Sequence, residues 1–338
     1  MVNTNDMYSM VKEFPGLLTK YKVNNEIQET CVRIGDEGLN GIVIIGMGGS
    51  AIAGLYVQSL FNESALIPVL TNQDYTLPAF VDSNWITIAV SYSGNTEETL
   101  AAYNEAIKRD SPTFIIASAG ELTSKDNCLS IIRIIEGYQP RAAFPLIFPP
   151  ILNLIECAMG LKPTQLEDIA DSLAKKIVEW ESSSLAPRNF AQDLVGSVPV
   201  FIGSRHLVPV AYRAKCQINE NAKTMAFFSE IPEANHNEIE SFTARNEFEI
   251  LPIFLRSLYE DTWIQKRMNI TAELYEEEGY SPVRLSIRNS SKLEEMLALT
   301  LYLDLVSVEF AQIRKVDPLS IERIIKLKNE LNKDRQKL

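Results

Sequence analysis

The feature that most constrains this chain is a junction that occurs twice before residue 100. A short run of apolar, β-branched residues breaks directly into a turn of glycines and hydroxyls, and a helical pattern follows. Gly41–Ile45 (GIVII) runs into Gly46-Met47-Gly48-Gly49-Ser50, and residues 85–90 (WITIAV) run into Ser91-Tyr92-Ser93-Gly94-Asn95-Thr96. Strands that are apolar at nearly every position are buried on both faces, and their alternation with helices indicates a parallel sheet covered on both sides. Further strands are expected over 66–70, 113–117 and 131–135, with helices over 51–61 and from about 96 to 108.

After a turn-rich stretch at 140–150 comes a helix over 164–180, opened by Thr164 and Glu167 in capping-box spacing. The first pattern then restarts. Residues 198–202 (VPVFI) run into Gly203-Ser204 as GIVII runs into Gly46, and 248–254 and 283–287 are later strand candidates. A chain of 338 residues, at roughly 150 residues per domain, accommodates two similar α/β halves, 1–153 and 154–338. The last third reads as helical. Ser291 and Glu294 have capping-box spacing, and Leu293, Met296, Leu297, Thr300, Leu301 and Val308 follow at helical steps. Asp304 falls inside that stripe and is out of place there. Asp317-Pro318 suggests a new helix with Asp317 as N-cap, and 326–338 reads as its charged, solvated end.

Charge and composition exclude several classes. Thirty-two basic against 44 acidic residues leave a net charge of −12, which argues against a nucleic-acid binder. The longest apolar run, 142–152, is interrupted by Pro145, Pro149 and Pro150, so no membrane span is expected. Met1 to Asp6 carry no basic, then apolar, leader pattern. Cys31, Cys128, Cys157 and Cys216 form no CxxC pair, so reduced thiols in a cytoplasmic protein are expected rather than disulfides or a zinc ribbon.

The two turns carry the chemistry. Glycines in the first let the backbone approach a ligand, and the helix behind it offers free N–H groups and a positive partial charge. Gly46, Gly48 and Ala51 also fit a dinucleotide fingerprint, with Asp74 at a suitable distance for a ribose hydroxyl. In the second turn Ser91, Ser93 and Thr96 are donors suited to phosphate oxygens. Hydrogen bonds to a charged acceptor contribute about 1.5–3 kcal/mol each. Several together hold a phosphate dianion without a lysine. Helix capping accounts for Asn95 and Glu98 but not for the alternation of Ser91 and Ser93.

The strand–SYSGNTEET–helix junction resembles the phosphate loop of the sugar isomerase (SIS) fold. GMGGSAIAG is similar to the first loop of the archaeal-type bifunctional phosphoglucose/phosphomannose isomerases. Pro140-Arg141-Ala142-Ala143-Phe144, Asn219-Glu220-Asn221-Ala222-Lys223, Glu233-Ala234-Asn235-His236-Asn237-Glu238 and Lys315-Val316-Asp317-Pro318 resemble later segments of that family, in the same order. The resemblance implies two SIS-type domains, each a flavodoxin-like three-layer sandwich. It implies hexose 6-phosphate as substrate, isomerised between aldose and ketose through an enediol, without metal or cofactor. Ser50, Ser91, Ser93 and Thr96 are then the phosphate ligands, with Gly48 and Gly49 in the substrate loop. Glu220 is the base, Arg141 stabilises the enediolate, and His236 and Lys315 assist ring opening. Arg314, next to Lys315, is an alternative for the inward-pointing cation. In the family the histidine comes from the neighbouring subunit, which implies a homodimer. A small residue in the long C-terminal helix, Ser307 or Val308, is expected to leave room for either C2 epimer.

Two other readings remain open at this level. SIS domains also serve as non-catalytic sugar-phosphate sensors, and the Gly46 turn could serve a nicotinamide-dependent enzyme. Arg205 and His206 stand where the second half repeats the first turn without its glycines and serines, and are read as structural.

Overall fold

The computed structural model describes residues 6–21, 24–243 and 248–335; Met1–Asn5 of the N-terminal reading and Gln336–Leu338 of the tail lie outside them. Strand β1 (Gly41–Ile45) pairs on one side with β2 (Val69–Asn72) and on the other with β3 (Trp85–Ser91). β4 (Thr113–Ala117) and β5 (Ser130–Arg133) complete a parallel sheet of order β2-β1-β3-β4-β5. Every residue of β1, β3 and β4 is buried, as their unbroken apolar runs require. In the second half β6 (Val198–Ser204), β7 (Phe227–Ile231), β8 (Ile250–Leu255) and β9 (Val283–Leu285) pair in parallel in the order β7-β6-β8-β9. This repeats β2-β1-β3-β4.

Helices α1 (Met7–Lys12), α2 (Phe14–Leu18) and α3 (Asn25–Asp36) precede the first sheet; α4 (Gly49–Phe61), α5 (Glu97–Lys108) and α6 (Phe144–Ala158) belong to it. Then come α7 (Glu167–Glu181), α8 (Pro187–Asp193), α9 (Val208–Ala222), α10 (Thr262–Glu277), α11 (Lys292–Ile313) and α12 (Glu322–Arg335). One apolar core runs between the two sheets and includes side chains of α3, α4, α6, α9 and α11. Smaller clusters cover the outer faces of the sheets, beneath α5 and α10. Helix α11 is long and apolar enough to cross a membrane, but 83% of its most apolar stretch is buried inside the protein, as in a core helix. All four cysteines are free thiols.

Several expectations are corrected. The strand expected at 66–70 begins only at Val69. Pro68 cannot donate to a ladder, and its carbonyl accepts from Ile42 N–H at the sheet edge while Leu66 is fully exposed. The stretch at 140–150 becomes helix α6 from Phe144 onward. Pro145 sits in its first turn, and Pro149 and Pro150 lie inside it. Interior prolines cost about 3 kcal/mol each. Burial of every residue of this helix offsets that cost. The helix also runs through residues 153 and 154.

Thr164 and Glu167 form no capping box. Thr164 instead donates its N–H and hydroxyl to the buried carboxylate of Glu156, which also accepts from Asn153 Nδ2, and α7 starts at Glu167. At Asp317-Pro318 no helix begins. Asp317 Oδ1 accepts from Leu319 N–H at 2.8 Å in a local turn, and the next helix waits until Glu322. Strand β7 was not anticipated. Its apolar Phe227 and Phe228 face outward, so it lacks the buried signature of the other strands.

Ser291 does cap α11, accepting from Glu294 N–H at 3.1 Å. The Glu294 carboxylate accepts from Ser290 N–H at 2.8 Å and Ser172 Oγ at 2.6 Å, and Lys176 lies 3.3 Å away. Burial pushes this carboxyl up, but these donors more than reverse that and bring it down from 4.5 to about 2. A carboxylate depressed in the folded state contributes stability above its unfolded value and loses it on acidification. Urea midpoints are therefore expected to fall as pH drops from 4.5 to about 2. Glu294→Gln should be less stable at neutral pH and show a flatter acid limb; parallel acid limbs would remove Glu294 from this role.

Candidate active site

The two hydroxyl-bearing turns meet at the carboxyl ends of β1 and β3. Gly48 takes φ +52° and ends the turn before α4, which carries buried Ser50 in its first turn. Behind Gly49 there is little room. A side chain there would stand 3.2 Å from the Pro140 carbonyl, so the first turn lies directly against the Arg141 segment. In the second turn Ser91 is buried; its Oγ accepts from Gly94 N–H at 3.1 Å and pairs with Thr96 Oγ1 at 2.9 Å. Ser93 is exposed at the loop tip. Asn95 does not cap α5. Its Oδ1 accepts from Glu121 N–H at 2.8 Å, and Thr96 holds the N-cap position with its hydroxyl turned to Ser91. Ser118 Oγ donates to the Tyr92 carbonyl and Leu122 N–H to the Gly94 carbonyl, so the loop after β4 clamps the hydroxyl loop.

Arg141 is buried at the junction of the two halves. Its Nε donates to Asn221 Oδ1 at 2.7 Å, it donates to the Pro318 carbonyl, and its Nη1 lies 3.9 Å from Glu220 Oε2. Burial lowers its pKa and the nearby Glu220 and Asp317 carboxylates oppose this, but a guanidinium stays charged throughout. Glu220 lies in the last turn of α9 with its side chain about one third exposed (35%). A cavity of about 470 Å³ opens at Glu220, lined by Asn219, Lys223, Ser320 and the start of α12. Lys223, in the left-handed region at φ +53°, donates to the carbonyls of Glu220 and Ser320; burial and the neighbouring Arg141 lower its pKa. These contacts draw 317–321 onto the site, which is why no helix starts at Pro318.

Lys315 lies just past the end of α11 at φ +57°, exposed and in the same segment. Arg314 instead donates to Thr224 Oγ1 and stacks on Phe310, so it is engaged beside α9. Ser307 is fully buried. It accepts from Asn221 Nδ2 at 2.8 Å and donates to the Asp304 carbonyl at 2.6 Å; Val308 is also buried. Ser307 thus touches Arg141 only through Asn221. Asn221 was inside the motif read from the sequence but was not singled out. The mismatched Asp304 was the other signal. It pairs with Arg213, which also holds the Arg141 carbonyl at 2.7 Å.

The described fold does not bring His236 to Glu220. β7 ends level with the end of β6, and His236 follows on that side, exposed, beside Asn235, which donates to Thr271 of α10. α9 starts at Val208 near the same edge and runs away from it. Glu220, twelve residues on, is therefore on the order of 20 Å away along the helix axis. Asp74 turns its carboxylate to Tyr75 N–H at 2.6 Å in an exposed turn past β2. His206 is buried and hydrogen-bonded to Glu295. Among the described residues no three His, Cys, Asp or Glu side chains are grouped so as to hold a metal.

Residues 40–156 match the SIS domain, and residues 186–331 match the bacterial phospho-glucose isomerase C-terminal SIS domain. A bifunctional phosphoglucose/phosphomannose isomerase of Aquifex aeolicus is 34% identical over 299 residues, 87% of this chain and 91% of that one. A D-glucosamine-6-phosphate 4-epimerase of Sulfolobus acidocaldarius is 33% identical over 253 residues, 74% of this chain and 78% of its own. Tagatose-6-phosphate ketose/aldose isomerase from Escherichia coli superposes with a TM-score of 0.73 over 94% of this chain and 96% of that one. At 14% identity that likeness shows the fold alone.

The hydroxyl loop depends on a residue without a Cβ. Gly94 takes φ +67°, and a Cβ there would stand 1.7 Å from the Ala119 carbonyl oxygen. Gly94→Ala is expected to destabilise the protein by more than the roughly 1–2 kcal/mol of the left-handed backbone alone, and to weaken binding of inorganic phosphate. An unchanged urea midpoint in this variant would mean that the two loops part freely.

Proposed function

Because the chain belongs to the SIS-domain family and is related to the bifunctional phosphoglucose/phosphomannose isomerases, we propose that it is a metal-independent aldose–ketose isomerase. The reaction would interconvert glucose 6-phosphate with fructose 6-phosphate, and mannose 6-phosphate with fructose 6-phosphate. The observation that carries this reading is the position of Glu220, a partly exposed carboxylate 3.9 Å from the buried guanidinium of Arg141, a residue whose backbone lies against the first turn at Gly49.

In this proposal the first half, 1–153, holds the phosphate with Ser50, Ser91, Ser93 and Thr96, and Gly48 and Gly49 let the sugar approach the backbone. Ser91 and Thr96 exchange their mutual hydrogen bond for bonds to phosphate oxygens. The second half, 154–338, brings Glu220 to C1 and C2. A carboxylate can take the proton from one carbon and return it to the other. Arg141, held by Asn221 and the Pro318 carbonyl, stabilises the enediolate oxygen without reorganising. Lys315 assists ring opening together with His236. The separation of His236 from Glu220 within one chain supports its donation across a two-fold interface in a homodimer. The unpaired thiols support a cytoplasmic setting.

The epimerase relative marks a second reading, in which the same cradle presents a different sugar carbon to the acid–base groups. A coupled assay with glucose 6-phosphate and mannose 6-phosphate separates the two. Isomerase turnover on both, undiminished by a chelator, is expected; Glu220→Gln should lose about 10²–10⁴-fold in kcat. Near-normal turnover in that variant, or epimerisation without aldose–ketose exchange, would overturn the assignment.

The shared histidine has its own test. Glu220→Gln and His236→Ala are each expected to be nearly inactive. Mixed after dissociation, they should recover activity from roughly a quarter of the sites, because one site of each hybrid dimer is intact. No recovery from a verified hybrid would mean that His236 is not donated across the interface.

A further inference from the structure

The second half repeats the order of the first four strands of the first half, so its loops have counterparts. Residues 205–207, after β6, stand where 46–48 stand after β1, and 256–261, after β8, stand where the hydroxyl loop stands after β3. In an open parallel sheet the crevice between two such loops is where the strand order reverses and where ligands bind. In the first half this crevice is lined by Ser50, Ser91 and Thr96. In the second half it is filled by the side chain of Glu295, which comes from α11 and has no exposed surface.

The Glu295 carboxylate accepts from His206 Nε2 at 2.9 Å, Ser257 Oγ at 2.5 Å, Leu258 N–H at 2.9 Å and Asn289 Nδ2 at 2.9 Å. Three of these donors come from the two counterpart loops, and together they mimic the hydroxyls and amides of an oxyanion site. Burial pushes this carboxyl up, and the hydrogen bonds more than reverse the effect, so the site favours a negative charge. Among the described residues no lysine or arginine hydrogen-bonds to it; neutral dipoles and the histidine satisfy it. The other ring nitrogen of His206, Nδ1, is buried without a partner. The imidazole is thus committed to the carboxylate and to Ser257 Oγ at 3.3 Å.

We propose that the second half retains an anion cradle equivalent to that of the first, and that the Glu295 carboxylate permanently takes the place of a ligand's anionic group. Each chain therefore takes up one phosphorylated ligand, in the first half, and removing the Glu295 side chain opens a second site for a small oxyanion. The anion-binding reading of the first half is a premise of this count. The test reads the second half directly, so the two can fail separately.

Glu295→Ala and Glu295→Gln are compared, the amide filling the space that alanine leaves. Acetate and inorganic phosphate are the probes, with chloride at matched ionic strength as control. Both variants keep the first-half site, so any difference between them reports the second. The melting temperature of Glu295→Ala is expected to rise with either probe by several degrees more than that of Glu295→Gln. The chain has only two histidines, so the His206 ring signals can be followed by NMR, with the His236→Ala spectrum for assignment. They should shift with acetate or phosphate in Glu295→Ala and stay fixed in the unsubstituted protein. A folded Glu295→Ala in which neither probe moves His206 or outdoes the amide variant would overturn the proposal. If Glu295→Ala is recovered unfolded, it is refolded from urea with each probe. Restored folding supports the cradle, and failure in both counts against it.

Discussion

A buried ion pair inside the second half, whose guanidinium also reaches the Arg141 segment of the first, sets the register of the two halves that makes a site. Arg213 of α9 and Asp304 of α11 are both almost wholly inaccessible, and their side chains meet through two hydrogen bonds of 3.1 and 2.6 Å. The same guanidinium donates to the Arg141 carbonyl and stacks over Phe144 at 4.7 Å. Burial opposes charge on both partners, and it pushes the Asp304 carboxyl up. A permanently charged guanidinium at hydrogen-bond distance keeps the pair ionised. Removing one partner of such a pair costs about 3–5 kcal/mol, because the other is left charged in a dry interior. Three elements far apart in the chain therefore move as one body.

The site inherits its precision from that body. Asn221 stands about two helical turns beyond Arg213 along α9, between Ser307 of α11 and the Arg141 guanidinium. Arg141 is thus held from its carbonyl by Arg213 and from its side chain by Asn221. A group fixed at both ends can stabilise developing charge without first being ordered. The close approach of Gly49 to Pro140 brings the glycine turn before α4 to the same place. The repeat of two parallel sheets has become asymmetric in use. The crevice of the first half is lined by hydroxyls, while that of the second is occupied by a carboxylate from its own chain.

Much of the fold was legible because parallel strands and their helices carry local signatures. GIVII and WITIAV are buried throughout, and Ser291 caps α11 as its spacing suggested. The misreadings share a physical cause, since each was decided by a distant partner. Proline weighs against a helix at 145–150, yet burial of the entire helix outweighs it. Thr164 looks like a cap but serves Glu156. Asp317-Pro318 looks like a helix start, but Arg141 and Lys223 capture the carbonyls that follow. Strand β7 hides its nature because its outer residues are apolar and exposed. In the candidate site, Glu220, Arg141 and the hydroxyl turns could be named from motifs, but Asn221 acquires a role only once Arg141 is seen against it.

Two kinds of information are separable here. The buried strands β1, β3 and β4, the positive φ that Gly94 supplies, and the hydroxyls at 91, 93 and 96 are properties of a few adjacent residues, so the amino-acid order alone determined them. The meeting of Arg141 with Glu220, the partner of Asp304, the filling of the second crevice by Glu295 and the distance of His236 from Glu220 were decided only by tertiary structure. Each depends on which strands are neighbours and how helices return across the sheets. Those relations link residues from 16 (Glu220 and His236) to 91 (Arg213 and Asp304) positions apart, where local propensity carries no signal.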